Sequence, residues 1–209
     1  YKNVKIKMRL GFTSFKHVGI FPEQSENWDF IVDSISEMKV DKPQILNLFA
    51  YTGGASVIAK AAGADVTHVD SVKQVITWSK ENMEASGLDN IRWIVEDALK
   101  FVKREVKRGK KYQGIILDPP AYGRGADGEK WILEDNLNEM LKCCNELLDE
   151  KHGFLILNLY SMGFSALIAE TLINQIFKNS FTKKQMGELF LLDKFEKKLP
   201  LGVFWRGKR

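Results

Sequence analysis

From residue 43 onward, short apolar runs alternate with longer stretches whose apolar positions recur every three or four residues. Strands and helices taking turns in this way point to a doubly wound, mostly parallel sheet in an α/β fold. The pattern predicts strands over 45–49, 65–69, 91–96, 114–117 and 153–159, and helices over 56–62, 72–86, 98–108, 134–148 and 164–177. Gly87 and Gly109 stand just past two of these helices, where a left-handed residue closes the last turn. Upstream, Trp28, Ile31, Val32, Ile35 and Met38 repeat at helical spacing. Val4-Lys5-Ile6-Lys7-Met8-Arg9-Leu10 alternates apolar and basic residues without a break, which predicts an appended edge strand. Residues 188–192 and 201–205 read as an antiparallel hairpin. The expected organisation is an N-terminal strand and loop over 1–27 and one α/β domain over 28–209.

Composition narrows the class. In 209 residues, 44% are hydrophobic and 11% aromatic, enough for one well-packed core and too much for a disordered chain. No apolar run reaches the ~18 residues of a membrane span, so no membrane partner is expected. The two cysteines, Cys143 and Cys144, are adjacent, a spacing that suits neither a mutual disulfide nor paired metal ligands. A reducing, cytoplasmic location and no metal are therefore expected. The chain starts at Tyr1, almost directly in a strand-like pattern, and reads as the continuation of a longer N-terminal region. A formal net charge of +4 permits a polyanionic partner without demanding one.

In such sheets, ligands sit outside the carboxyl ends of the strands. After the first strand comes Asn47-Leu48-Phe49-Ala50-Tyr51-Thr52-Gly53-Gly54, a turn without the GxGxxG or Walker pattern that could be a cofactor loop or simple turn chemistry. After the second stands Asp70, followed by Ser71, close to the ~20-residue spacing at which a carboxylate grips ribose hydroxyls. After the third stands Asp97 before Ala98, placed for an adenine amino group or for a helix N-cap. After the fourth comes Asp118-Pro119-Pro120-Ala121-Tyr122-Gly123. Its prolines cannot continue a central strand, so they fix a rigid loop that presents carbonyls and a carboxylate, while Tyr122 offers a stacking face.

The combination of Asn47 to Gly54, Asp70, Glu96-Asp97-Ala98 and Asp118-Pro119-Pro120 resembles the class I S-adenosylmethionine-dependent methyltransferases, in the branch related to the 23S ribosomal RNA 5-methylcytosine enzymes. The resemblance spans about residues 15 to 205 and implies a Rossmann-like methyltransferase sheet closed by an antiparallel hairpin. It implies S-adenosylmethionine as cofactor, with Asp70 on its ribose, Asp97 on its adenine, and Asn47, Phe49, Ala50, Tyr51, Thr52 and Gly53 around its methionine part. The segment His17 to Gln24, with Phe21 and Gln24, would fold over that methionine end. Asp118, Pro119, Pro120 and Tyr122 would lie beside the transferred methyl. In the cytosine-C5 branch a cysteine after the fifth strand activates the base, whereas this chain has Met162 at that position. A thioether forms no such adduct, so a nitrogen or oxygen acceptor is favoured.

The expected function is therefore methyl transfer to RNA, ribosomal RNA first. A small-molecule or protein substrate and a non-catalytic binding module stay open as alternatives. Lys16, His17, Arg124, Lys130, Arg206 and Arg209 are candidates for substrate phosphates. The basic run Lys103 to Lys111 reads instead as a solvated helix end. His68, in an apolar strand, reads as a core residue, and Cys144 as part of the apolar helix face of Met140, Leu141, Leu147 and Leu148.

Overall fold

A computed structural model describes residues 4–12, 18–125, 127–160, 163 and 165–209. Five parallel strands form its centre: β1 (Gln44–Leu48), β2 (Asp65–Asp70), β3 (Arg92–Val95), β4 (Gly114–Leu117) and, numbered later in the chain, β7 (Phe154–Leu159). The C-terminal hairpin, β8 (Lys183–Leu192) and β9 (Lys198–Lys208), extends the sheet antiparallel beside β7 in the order β3-β2-β1-β4-β7-β9-β8. The hairpin is longer than its apolar core residues announced, because its outer positions are polar. A separate ribbon, β5 (Tyr122–Arg124) with β6 (Lys130–Ile132), follows the Asp118-Pro119-Pro120 turn and was not legible from periodicity.

Helices cover both faces. On one side α1 (Ser25–Glu37), α2 (Gly54–Ala61) and α3 (Lys73–Ala85) bury Trp28, Ile31, Val57, Ile58 and Met83 against Ile45, Val66 and Ile156. On the other, α4 (Ala98–Lys107), α5 (Leu133–Leu147) and α6 (Ala166–Ile176) bury Phe101, Leu137, Met140, Leu141, Cys144 and Ile173 against Leu46, Ile115 and Leu157. The central strands touch both layers, which is why they read as continuous apolar runs. Gly114 permits this packing, since a Cβ there would overlap the Phe154 ring and Ile45.

The expected N-terminal strand is not formed. Residues 4–9 alternate half-buried and exposed as predicted, Leu10 is exposed, and the segment lies outside every strand. Polar side chains in α3 and at its C-cap take the backbone bonds instead: Lys7 N donates to Ser86 Oγ at 2.9 Å and Arg9 N to Asn82 Oδ1 at 2.8 Å. Alternation reports a half-buried extended chain, and here a helix rather than a sheet edge satisfies it.

Candidate functional site

The carboxyl ends of β1 to β4 open into a cavity of about 630 Å³, lined on one side by Asp70, Ser71, Val72 and Val75 and on another by Asp97 and Ala98. Asp118, Pro119, Pro120, Phe49 and Trp131 complete it. A smaller recess of about 60 Å³ adjoins it, bounded by Gln24, Asn47, Ala50, Thr52 and Asn158, and the two share Phe21, Phe49, Tyr51 and Asp118. The residues expected at four strand ends are thus brought together around one continuous space.

The turn after β1 takes its shape from strained backbone. Phe49 (φ 55°), Tyr51 (φ 47°) and Gly53 (φ 82°) all have left-handed φ, and for the two aromatic residues this is costly. Helix α3 holds the turn: Ser79 Oγ donates to the Tyr51 carbonyl at 2.7 Å and Asn82 Nδ2 to the Thr52 carbonyl at 2.9 Å. Asp70 holds it from β2, accepting from Tyr51 N and Val72 N at 2.9 Å each. Gly53 caps α2, and a Cβ there would sit 3.1 Å from that of Ser79. Asn47 faces inward and donates to Ser56 Oγ at 2.9 Å. Residues 18–24 close over this turn, with Thr52 Oγ1 donating to the Gly19 carbonyl at 2.7 Å and Phe21 against Tyr51 at 5.5 Å between rings.

The carboxylates differ in their surroundings. Burial raises Asp70, while the amides of Val72, Tyr51 and Ser71 oppose the shift. Asp97 is the N-cap of α4, accepting from Lys100 N at 2.8 Å, and it also lines the cavity. Asp118 has a buried Oδ1 with no hydrogen-bond partner. Burial, and after it the negative charge of Glu23, push its carboxyl up to about 7. An unpartnered buried oxygen at the end of a central strand calls for a donor from outside the chain.

Other expectations divide. Tyr122 stands on β5, 52% exposed and outside the cavity lining, with its hydroxyl accepting from Arg124 Nε at 3.3 Å. Arg124 lines the cavity, and Lys130 is exposed opposite it on the ribbon. Arg206 and Arg209 are not free for phosphate. Arg206 is buried against Gln185, Glu26 and Asn27, and Arg209 binds the Leu148 and Asp149 carbonyls at the far edge of the sheet. Lys16, His17 and Met162 lie outside the described residues. His68 is fully buried, its Nδ1 3.0 Å from Ser56 Oγ and its Nε2 unpartnered; burial pushes its pKa down to about 3. Cys144 is core and Cys143 half-buried beside it. Among the described residues no group of three His, Cys, Asp or Glu could hold a metal ion, and no helix is long and apolar enough to cross a membrane.

Sequence reasoning missed Trp131 and Tyr160. Trp131 packs on Phe49 at 4.7 Å between ring centroids and gives its indole proton to the Pro120 carbonyl at 2.8 Å. Tyr160 immediately follows β7, and the strand-end rule applied to the fifth strand would have found it.

Comparison with known proteins identifies the family. The model of the family described as S-adenosylmethionine-dependent methyltransferase matches residues 4–182. Ribosomal RNA large subunit methyltransferase K/L of Shewanella frigidimarina is 31% identical over 156 residues, which is 73% of this chain and 21% of that protein. Ribosomal RNA large subunit methyltransferase I of Aeromonas salmonicida is 29% identical over 120 residues, 56% of this chain and 29% of its own length. The chain thus spans less than a third of these curated relatives. The crystal structure of an S-adenosylmethionine-dependent methyltransferase from Agrobacterium tumefaciens superposes with a TM-score of 0.92 at 39% identity, covering 97% of this chain and 67% of that one.

Proposed function

Since this chain belongs to the S-adenosylmethionine-dependent methyltransferases, we propose that it methylates RNA, large-subunit ribosomal RNA first, at a nitrogen or oxygen acceptor. The observation that carries the acceptor reading is Asp118 at the end of β4, with a buried oxygen that has no partner in the chain. The substrate class is supported by the names of the relatives, both ribosomal RNA large subunit methyltransferases.

The cavity suits the cofactor. Its volume lies in the usual range for such ligands. Asp70 offers a carboxylate to a ribose diol, and Asp97 an acceptor to an adenine amino group beside Ala98. Phe49, Val72 and Trp131 supply apolar walls for a flat ring, and Asn47, Tyr51 and Thr52 with Phe21 and Gln24 bound the methionine end, while Gly53 lies outside the lining as the cap of α2. When bound, S-adenosylmethionine supplies an electrophilic methyl group on a good leaving group. What remains for the protein is alignment and exclusion of water.

Asp118 and the rigid Pro119-Pro120 turn orient an acceptor N–H or O–H, and Asp118 takes its proton. Neither cysteine serves as a nucleophile. Cys144 is buried in the α5 face of the core, Cys143 lies half-buried beside it, and burial pushes both thiols up. Arg124 and Lys130 on the ribbon place positive charge at the cavity mouth for the RNA backbone. The target base would have to be unstacked to reach Asp118. Two free thiols fit a cytoplasmic setting.

The test is transfer of labelled methyl to ribosomal subunits, free RNA, protein and a small-molecule extract, followed by nucleoside mass analysis. Label in one RNA nucleoside, at nitrogen or oxygen and declining steeply with salt, is expected. Label on cytosine carbon-5 would refute the acceptor reading, and label confined to protein or small molecules would refute the substrate class.

A further inference from the structure

A chain of side-chain hydrogen bonds crosses the molecule from β9 to the cavity, and its direction is set at one end. Arg206 can only donate, and its Nη1 gives hydrogen bonds to the Glu26 carbonyl at 2.7 Å and to Asn27 Oδ1 at 3.2 Å. With Oδ1 so engaged, Asn27 turns its amide nitrogen inward, to Gln24 Oε1 and Asn158 Oδ1, both at 2.9 Å. Asn158 Nδ2 adds a second bond to Gln24 Oε1 at 3.1 Å. Gln24 must therefore present Nε2 to Tyr160, whose hydroxyl oxygen accepts at 2.7 Å. The Tyr160 proton is left to point at a carboxylate, and Glu23 Oε1 lies 3.4 Å away. Glu23, Gln24, Asn27 and Asn158 are all buried, so the bonds among the three amides are shielded from water, while those to Tyr160 are part-buried at the cavity.

Glu23 is thus held by Tyr160, which lines the same cavity as Asp118, and its charge bears on the Asp118 carboxyl. The charged and titratable groups around Asp118 are Glu23 from the turn before α1, Tyr160 after β7, Asp70 and Asp97 across the cavity, and Arg124 from the ribbon. Arg206 spends its charge on the Glu26–Asn27 side of the network.

We propose that Glu23 is a positioning residue of the methyl transfer, held by Tyr160 so that its charge lets Asp118 receive the proton the acceptor nitrogen gives up, an inference that rests on the function proposed above. The acceptor nitrogen forms its new bond to the methyl carbon, and the S–C bond pair stays on sulfur as the thioether. The N–H proton goes to a carboxylate oxygen of Asp118. Burial and the Glu23 charge together hold Asp118 at about 7, where a base is ionised often enough and still basic enough to work at neutral pH.

The test is a carbon-13 titration of the ligand-free protein, with the Asp118 signal identified by its loss in Asp118→Asn. In the unaltered protein a midpoint near 7 is expected. Glu23→Gln, which keeps shape and removes charge, should lower it by on the order of one pH unit. The acid limb of the rate of methyl transfer to RNA should move with it. Tyr160→Phe keeps the Glu23 charge but removes the hydroxyl that holds it, so the midpoint should fall by less than in Glu23→Gln, and a midpoint unmoved by Tyr160→Phe overturns the holding role of Tyr160. A midpoint unmoved by Glu23→Gln in a folded protein overturns the pairing. A midpoint that moves while the rate limb stays overturns its role in transfer. The titration needs no substrate, so failure to methylate RNA would count against the proposed function and leave the Glu23–Asp118 pairing to be decided by the titration.

Discussion

Replacing Asp118 by Asn should make the ligand-free protein more stable while lowering its methyl transfer. The carboxyl rises from an ordinary value of 3.8 to about 7 on folding, so the native state holds the proton more tightly than the unfolded chain does. For a raised carboxyl, the favourable contribution is complete below the unfolded pKa and is lost as pH climbs to the folded one. Between pH 4 and 7 the charged form therefore becomes a growing burden. Each pKa unit corresponds to about 1.4 kcal/mol, which puts a ceiling of roughly 4 kcal/mol on the effect above pH 7. Access to solvent through the cavity brings the expected value to about 1–3 kcal/mol. Asn is nearly isosteric and uncharged throughout, so the variant should match the parent near pH 4 and exceed it progressively up to pH 8. Urea unfolding at pH 4, 6 and 8 reads this directly as a change in midpoint at constant slope. A stability difference that is flat with pH, or a variant less stable at pH 8, would refute the reasoning about the buried carboxylate.

Three further outcomes follow from the same geometry. Asp70→Asn removes the charge offered to the ribose and turns an amide N–H toward one of two backbone donors, so S-adenosylmethionine affinity should fall roughly 10- to 150-fold at about 1.5–3 kcal/mol, read by calorimetry. Unchanged affinity would show that Asp70 serves only the turn. Gly53→Ala puts a Cβ against Ser79 at φ 82° and should lose about 1–2 kcal/mol of stability together with cofactor affinity, whereas the same change at Gly63, where nothing lies within 4 Å, should cost only the backbone strain. Glu105→Ala strands the buried Tyr112 hydroxyl, which donates to Glu105 at 2.8 Å, and should lower stability by about 1–3 kcal/mol without changing cofactor affinity.

The layered sheet was legible because strand burial and helix amphipathicity leave different periods in the sequence. The gathering of Asp70, Asp97 and Asp118 around one cavity was legible because in such folds the strand ends open into a common crevice. What failed to show depended on long-range partners. The alternation of residues 4–10 carries no information on whether a strand or α3 accepts its amides. Arg206 and Arg209 look like free cations in sequence, and only the fold reveals the carbonyls and amides that occupy them. The ribbon at 122–132 has three residues per strand, too few for a period. Glu23 read as a loop residue because its partner Tyr160 is 137 positions away.

The placement of cost and compensation across the sheet bears on where a ligand belongs. At the amino edge, charged groups are matched: buried Glu105 accepts from Tyr112 and Arg108 and faces Arg92, and Arg209 satisfies two carbonyls and Asn145. At the carboxyl edge, Phe49 and Tyr51 hold left-handed backbone, Asp118 keeps an unpartnered oxygen, and Glu23 adds like charge beside it. A chain selected only to fold would relieve these features with glycine at 49 or 51 and a neutral residue at 118. Those of Phe49, Tyr51, Asp118 and Glu23 gather around the cavity, where a bound nucleoside and an acceptor N–H would supply the missing partners. The expected gain in stability of Asp118→Asn and its expected loss of transfer are therefore two readings of the same buried carboxylate.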